Sequence, residues 1–436
     1  MKRSVQTTVD EVIARFLPVF FANHGLVWCN SNSFRKRGLV VVSKNSLGGA
    51  AKLRHWLDPV TVTLFLTLEK ISMKKTLIAL AALTSIAGVA HAQSSVTLYG
   101  LADVYVASES TTTRSTTAGI TSSSKTTKTL IDSGGMNTSR FGMRGVEDLG
   151  GGLNAVFALE GGIDVSTGAT NSGSLFGRQA FVGVNGGFGT VTLGRHLTAY
   201  DGLRGATNHS DNAILFSFSQ LRSVYSNGVV DYASRSSNSL AYTSPSFGGF
   251  SGALVLGTGE DKAPGLSASR NNSFHLKYAN GPLLVGYAYQ NEKFNAGSLL
   301  ADANPAAPTP AGQVAQRDYN LFGASYDFGV AKITGSYQAA KQKNSVAPAT
   351  DGKDKEFQAG VTVPFGAAAV SAGYVRSKSD TTGLKAQGFS LLGTYSLSKR
   401  TALYAGALTR KFDLDAAALT GTEKSTIVAA GLRHSF

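Results

Sequence analysis

From Val96 onward, apolar residues recur at every second position in runs of about ten, which makes strands with two unlike faces. Val96, Leu98 and Gly100 alternate with Thr97, Tyr99 and Asp103, and Ala155, Phe157 and Leu159 alternate with Asn154, Ala158 and Glu160. Val428, Ala430 and Leu432 repeat the pattern near the C-terminus. After residue 92 no segment offers the ~20 apolar residues of a membrane-spanning helix. Short turns rich in Gly, Pro and Asn, such as Asp148–Gly152, Asn185–Gly187 and Asn280–Pro282, punctuate the runs; Ser396–Arg400 lacks all three. Between them lie longer polar stretches at 108–134, 163–174, 197–236, 259–271, 292–315, 342–353, 380–386 and 412–423. Seven short and eight long connections, taken in alternation, join sixteen strands. An even number of strands with connections sorted by length predicts an all-β fold, a 16-stranded antiparallel transmembrane β-barrel with short periplasmic turns and long extracellular loops. A soluble sandwich has no reason to sort its loops by length, and no solenoid repeat is present. Unpaired strand edges cannot face lipid, so the sheet must close, and sixteen strands leave an aqueous channel.

A second feature divides the chain. Met73-Lys-Lys opens a segment whose apolar core, Leu77 to Ala90, is followed by Ala90-His91-Ala92. That order is a secretory signal at 73–92, with cleavage between Ala92 and Gln93. Both tryptophans, Trp28 and Trp56, and the sole cysteine, Cys29, precede it. Residues 1–72 show no sustained periodicity and read as an over-extended gene start, leaving 93–436 as the barrel domain. The barrel region holds 29 Lys and Arg against 23 Asp and Glu, so the whole-chain net charge of +14 overstates its basicity. No basic stripe interleaved with aromatics points to nucleic acid, and without cysteine the exported part has no disulfides.

Several stretches resemble the trimeric general-diffusion porins of β-proteobacteria. They are Ser94-Ser-Val-Thr-Leu-Tyr-Gly100, Ser139-Arg-Phe-Gly-Met-Arg-Gly-Val-Glu-Asp-Leu-Gly-Gly-Gly-Leu153, Leu175 to Gly183, Phe188 to Arg195, Tyr242 to Phe250, and the terminal Gly-Leu-Arg-His-Ser-Phe436. The resemblance covers essentially all of 93–436. It implies a homotrimer in outer-membrane lipid and lipopolysaccharide that passes ions and small hydrophilic solutes, with the third long loop, roughly 197–236, folded into the lumen. It also implies that Arg140 and Arg178 are wall arginines that favour anions. Arg144 shares the face of Arg140 by alternation. This chain has Ala241 where some members carry an arginine, and Arg235, six residues earlier, is the candidate substitute.

A pore needs a wet path and a shaped field rather than bond-making groups. The third loop offers Asp201, Asp211 and Asp231 against Arg204, Arg222 and Arg235. With those in balance, the wall arginines tip the field toward a weak anion preference. Glu160 is expected to face the lumen and pair with a wall arginine. Phe436, His434 and Leu432, on one face of the last strand, are assigned to a C-terminal signal for the outer-membrane assembly machinery. No metal or cofactor is expected: His434 stands without companion ligands, and Asp351-Gly-Lys-Asp-Lys-Glu356 lacks the ligand spacing of a calcium loop. His196, His209 and His275 are scattered. There is no Gly-x-Ser-x-Gly elbow, His-Glu-x-x-His pair or phosphate loop, so an enzyme is not expected. The alternative is a β-barrel surface protein, an adhesin or receptor acting through its extracellular loops.

Overall fold

A computed structural model of the protein describes residues 95–436 apart from 118, 172, 211–212, 216–231, 263, 265–266, 295–314, 345–351, 381–382 and 417–418. The segments 1–72 and 73–92, the junction Ala92–Gln93, and Asp211 and Asp231 lie outside the described residues. The strands are β1 (Ser95–Thr117), β2 (Ile120–Ser133), β3 (Arg140–Gly150), β4 (Leu153–Gly162), β5 (Gln179–Gly186), β6 (Gly189–Leu197), β7 (Arg235–Thr243), β8 (Phe250–Thr258) and β9 (Arg270–Asn280). They continue as β10 (Leu283–Phe294), β11 (Ala315–Asp327), β12 (Lys332–Asn344), β13 (Gly352–Phe365), β14 (Ala368–Ser379), β15 (Lys385–Ser396), β16 (Thr401–Ala416) and β17 (Leu419–Ser435). A helix, α1 (Ala199–Ala206), follows β6.

Apart from β2 and β3, consecutive strands pair antiparallel, and β1 pairs with β17, which closes the sheet. Strands β2 and β3 are two pieces of one wall strand. β3 pairs with Ser95–Leu101 and β2 with Val104–Thr117, on the same edge of β1. The barrel therefore has sixteen strands, interrupted once by residues 134–139.

The interruption is built around Asp103, which is fully buried. Its carboxylate accepts from the backbone N–H groups of Gly135, Met136 and Asn137 at 3.2, 2.9 and 2.8 Å, and from the Tyr404 hydroxyl at 2.6 Å. Four donors offset the desolvation of one charge.

The turns at the short end use the expected chemistry. Gly150, Gly151 and Gly152 all take positive φ, and Gly150 N–H donates to the Asp148 carboxylate at 2.8 Å. In Ser396–Arg400 the Ser398 hydroxyl accepts from the Arg400 and Thr401 N–H groups instead.

Two stretches read as long polar linkers are strands. The described residues of 108–134 form most of the β1–β2 hairpin, and those of 412–423 belong to the β16–β17 hairpin. Threonine favours extended backbone, and Ser115–Ser122 and Thr116–Thr121 hydroxyl pairs link the two sides at 3.0 and 2.9 Å. Strands that stand above a bilayer need no apolar face, so hydrophobic alternation does not find them.

Alternation sets the two faces of the wall. Val96, Leu98, Leu193, Phe274, Leu276, Phe322, Phe389 and Val428 point to one side and are exposed. Ser273, Gln290, Ser336, Gln338, Gln358 and Ser390 point to the other and are buried. In a closed sheet within lipid the polar side is the inside. That face carries α1 and the chain beyond it. α1 starts at Thr198, whose hydroxyl accepts from Asp201 N–H, and lies against β8 to β11. Tyr200, Leu203, Tyr232, Ala288, Tyr319 and Leu321 pack there as a buried cluster. Further along, the Thr207 side chain stands over Gly323 on β11, and His209 over Gly360 and Gly373 on β13 and β14. Ile214 and Leu215 N–H groups then donate to the carbonyls of Met136 and Gly135 at 3.0 and 2.9 Å. Residues 197–215, in their described parts, thus run along the inner wall from β6 to the interruption beside β1.

Candidate pore constriction

Strands β3, β4 and β1 bring one carboxylate among three cations. In register, Tyr99 faces Gly142, and Gly142 faces Glu160. With no side chain at Gly142, Tyr99 lies across it and donates its hydroxyl to Glu160 Oε2 at 3.0 Å. Arg178 Nε meets Glu160 Oε1 at 2.6 Å, and Arg140 Nε lies 3.7 Å from Oε2. Arg144 stands over the Tyr99 ring, 5.2 Å from its centre, a cation–π contact. Glu160 is buried, whereas the side chains of Arg140 and Arg178 keep 28% and 19% of their exposure. Two guanidinium groups share one carboxylate and leave a net positive patch facing the lumen.

Arg235, at the start of β7, donates through Nε to the Arg178 carbonyl at 2.9 Å, so it joins the same patch. Ala241 lies farther along β7, opposite Thr192 and Val255. Arg195 was not foreseen. Its Nε donates to the Gly177 carbonyl at 2.7 Å and its Nη1 to Ser237 at 2.6 Å, which ties down the residue before Arg178. A register shift between Gly194 and His196 breaks the alternation, so counting by twos assigns Arg195 no face. His196 is buried between the Thr192 and Ser239 hydroxyls at 2.9 and 2.8 Å, which gives it a structural place in the wall.

The far wall is acidic and holds the inner segment. Tyr200 donates to Gln338 at 2.9 Å, and Gln338 donates to Glu356 at 2.8 Å. Gln358 donates to the Thr207 carbonyl at 2.8 Å, and His209 lies 3.0 Å from the Ser390 hydroxyl. Glu292 accepts from Ala233 N–H and from Gln290, both at 2.6 Å. Asp201 accepts from the Tyr232 hydroxyl, to which Arg204 donates at 3.1 Å. Asp201 is therefore occupied within the segment. The partners of the inner segment could not be paired by sequence spacing, since His209 and Ser390 are 181 residues apart.

At the seam, Phe436 exchanges both backbone hydrogen bonds with Gly100, at 3.0 and 3.1 Å. Leu432 points outward and is exposed, and His434 lies 2.9 Å from the Thr401 hydroxyl. Among the described residues no group of three His, Cys, Asp or Glu side chains could hold a metal ion. The segment Gly352–Glu356 is plain strand, with Asp354 and Glu356 buried inside and Lys353 and Lys355 exposed outside.

A closed sheet with an apolar outer face, and a polar, charged inner face crossed by a tethered segment, defines a channel of the outer-membrane barrel class. The model of the Gram-negative porin family matches residues 79–414, and the chain belongs to that family. Outer membrane porin protein 32 of Delftia acidovorans is 35% identical over 386 residues, covering 84% of this chain and all of that one. The solved structure of an anion-selective porin from Comamonas acidovorans superposes with a TM-score of 0.63 at 30% identity, over 79% of this chain and 100% of that one. OmpT of Vibrio cholerae, solved in a trimer form, shares the fold at 15% identity with a TM-score of 0.54, over 79% of this chain and 99% of that one. The protein is an outer-membrane general-diffusion porin.

Proposed function

We propose that diffusion through this porin is weakly biased toward anions by Arg140, Arg144, Arg178 and Arg235, and narrowed by the segment 197–215. The sharing of Glu160 between Arg140 and Arg178 carries this reading: one carboxylate cannot neutralise two guanidinium groups, and Arg235 stands beside them where Ala241 offers no charge. Glu292 and Glu356 on the far wall give the field a direction across the lumen. The anion-selective porin of Comamonas acidovorans supports the sign. The protein works by passive transport of ions and small hydrophilic solutes, without catalysis or a cofactor. It assembles as a homotrimer in outer-membrane lipid and lipopolysaccharide. Small outward residues such as Ala102, Ala155 and Ala430 allow close packing of copies. Export uses the signal at 73–92, and Phe436, His434 and Leu432 address the chain to the assembly machinery.

The test is a planar bilayer with the purified protein. Stable steps in groups of three are expected, with a small anion-selective zero-current potential across a salt gradient. Raising the salt from about 0.1 M to 1 M shortens the screening length from ~10 to ~3 Å and should shrink the potential. In Arg140→Gln/Arg178→Gln the potential should move toward zero or reverse. A cation-selective wild type would end the arginine argument. A folded barrel without conductance would favour the surface adhesin or receptor.

A further inference from the structure

The break in the wall between β2 and β3 is larger than closing the barrel requires. On β1, Leu101 faces Arg140 and Val104 faces Ser133. Two residues, Ala102 and Asp103, therefore stand opposite six, 134–139. An unbroken strand would place two residues there, so four are left over to form a bulge. A Cβ at Gly135 would collide with Tyr105 and Tyr404, which share the inner face with Asp103. The bulge thus enters the lumen.

The two edges of the bulge serve different neighbours. Its N–H groups at Gly135, Met136 and Asn137 donate to the Asp103 carboxylate. Its carbonyls at Gly135 and Met136 accept from the Leu215 and Ile214 N–H groups at 2.9 and 3.0 Å. One stretch of backbone therefore joins the wall carboxylate and the inner segment in series. Side chains close the same joint: Met136, Ala213 and Leu215 are buried with Tyr105, Tyr404 and Leu408. The Asn137 side chain accepts from Arg433 on β17 at 2.8 Å. Burying a carboxylate is costly, whereas the long β1–β17 ladder closes the sheet through backbone pairs that need no charge. What the carboxylate adds is direction: three N–H groups converging on it fix where the carbonyls of the bulge point.

We infer that Asp103 is a positioning residue for the constriction: through the bulge 134–139 it holds the tip of the inner segment, Ile214 and Leu215, against the wall. Without that acceptor three buried donors lose their partner, and the bulge satisfies them by turning toward water in the lumen. Its carbonyls turn with it, and the tip is released. Ion flow through a wet pore senses the position of whatever narrows it. The inference rests on the reading that the segment 197–215 narrows the pore.

The test is single-channel recording of the purified porin, with heat-shifted gel mobility to show that each variant folds. In Asp103→Ala the variance of the open-channel current should rise several-fold. Asp103→Asn removes the same charge but keeps an acceptor for the bulge, so it should lie nearer the wild type than Asp103→Ala. Ile214→Pro deletes the N–H that reaches the Met136 carbonyl and leaves Asp103 with its four donors; its current should be as noisy as that of Asp103→Ala. Because the two joints lie in series, the double variant should be no noisier than the noisier single one. Wild-type noise in Asp103→Ala or Ile214→Pro overturns the inference, and Ile214→Pro decides alone if Asp103→Ala does not fold. Equal noise in the alanine and asparagine variants, or additive noise in the double variant, overturns it too. Gly373→Val, which disturbs the separate anchor at His209, distinguishes the two readings. If it is noisy while the others are quiet, only the role of Asp103 falls; if all are quiet, narrowing by 197–215 falls with it.

Discussion

Glu160 sits between Arg140 and Arg178, and in the proposed pore it sets how much of their charge reaches a passing ion. It holds Arg178 at 2.6 Å, leaves Arg140 at 3.7 Å, and takes a hydrogen bond from Tyr99. Glu160→Gln should keep the amide carbonyl in place as an acceptor while removing the counter-charge. The chloride-over-potassium permeability ratio is expected to rise about two- to threefold at low salt, from a unit charge a few ångströms away in a wet site. The zero-current potential reads this directly, and an unchanged ratio would mean that the patch lies outside the conducting path. The resemblance to the porin family pointed to Arg140 and Arg178, and spacing placed Arg144 on the face of Arg140, because a strand repeats every two residues. Arg195 was hidden by a bulge, and the partners of His209 lie on strands far away in sequence.

At the scale of the elements, the inner segment is held by glycines as much as by hydrogen bonds. A Cβ at Gly360 or Gly373 would collide with His209. Gly373→Val should evict the ring and release its contacts with Gln358 and Ser390, at a cost of roughly 1–3 kcal/mol from overpacking. Larger, noisier single-channel steps are expected, with the barrel still resistant to detergent. Steps identical to wild type would show that His209 does not hold the constriction. The short turns were readable because Gly and Asp set backbone geometry locally. The β1–β2 and β16–β17 hairpins were not, because Ser and Thr strands in water carry no apolar alternation. The division of one wall strand at 134–139 depends on Asp103, whose four donors converge only after the sheet has formed.

For the whole molecule, closure depends on one seam. The Phe436 ring lies over Gly100, where a Cβ would strike it, and the two residues exchange backbone hydrogen bonds. Gly100→Val should force the last residue off the first strand. The fraction that refolds is expected to fall several-fold, measured by the heat-shifted gel mobility of the barrel, while Gly335→Val, which meets only the Gln358 carbonyl at 3.3 Å, should refold far better. Equal yields would show that the seam closes without its final residue. The β1–β17 pairing runs without a shift from Leu101 to Thr117, and β1–β2 runs unbroken from Val104. The hairpin tip at Gly119 therefore stands many paired residues away from Asp103 and the arginine patch. A change of sequence or length at that tip is thus separated, by the whole length of the hairpin, from the residues proposed to set the transport properties of the pore.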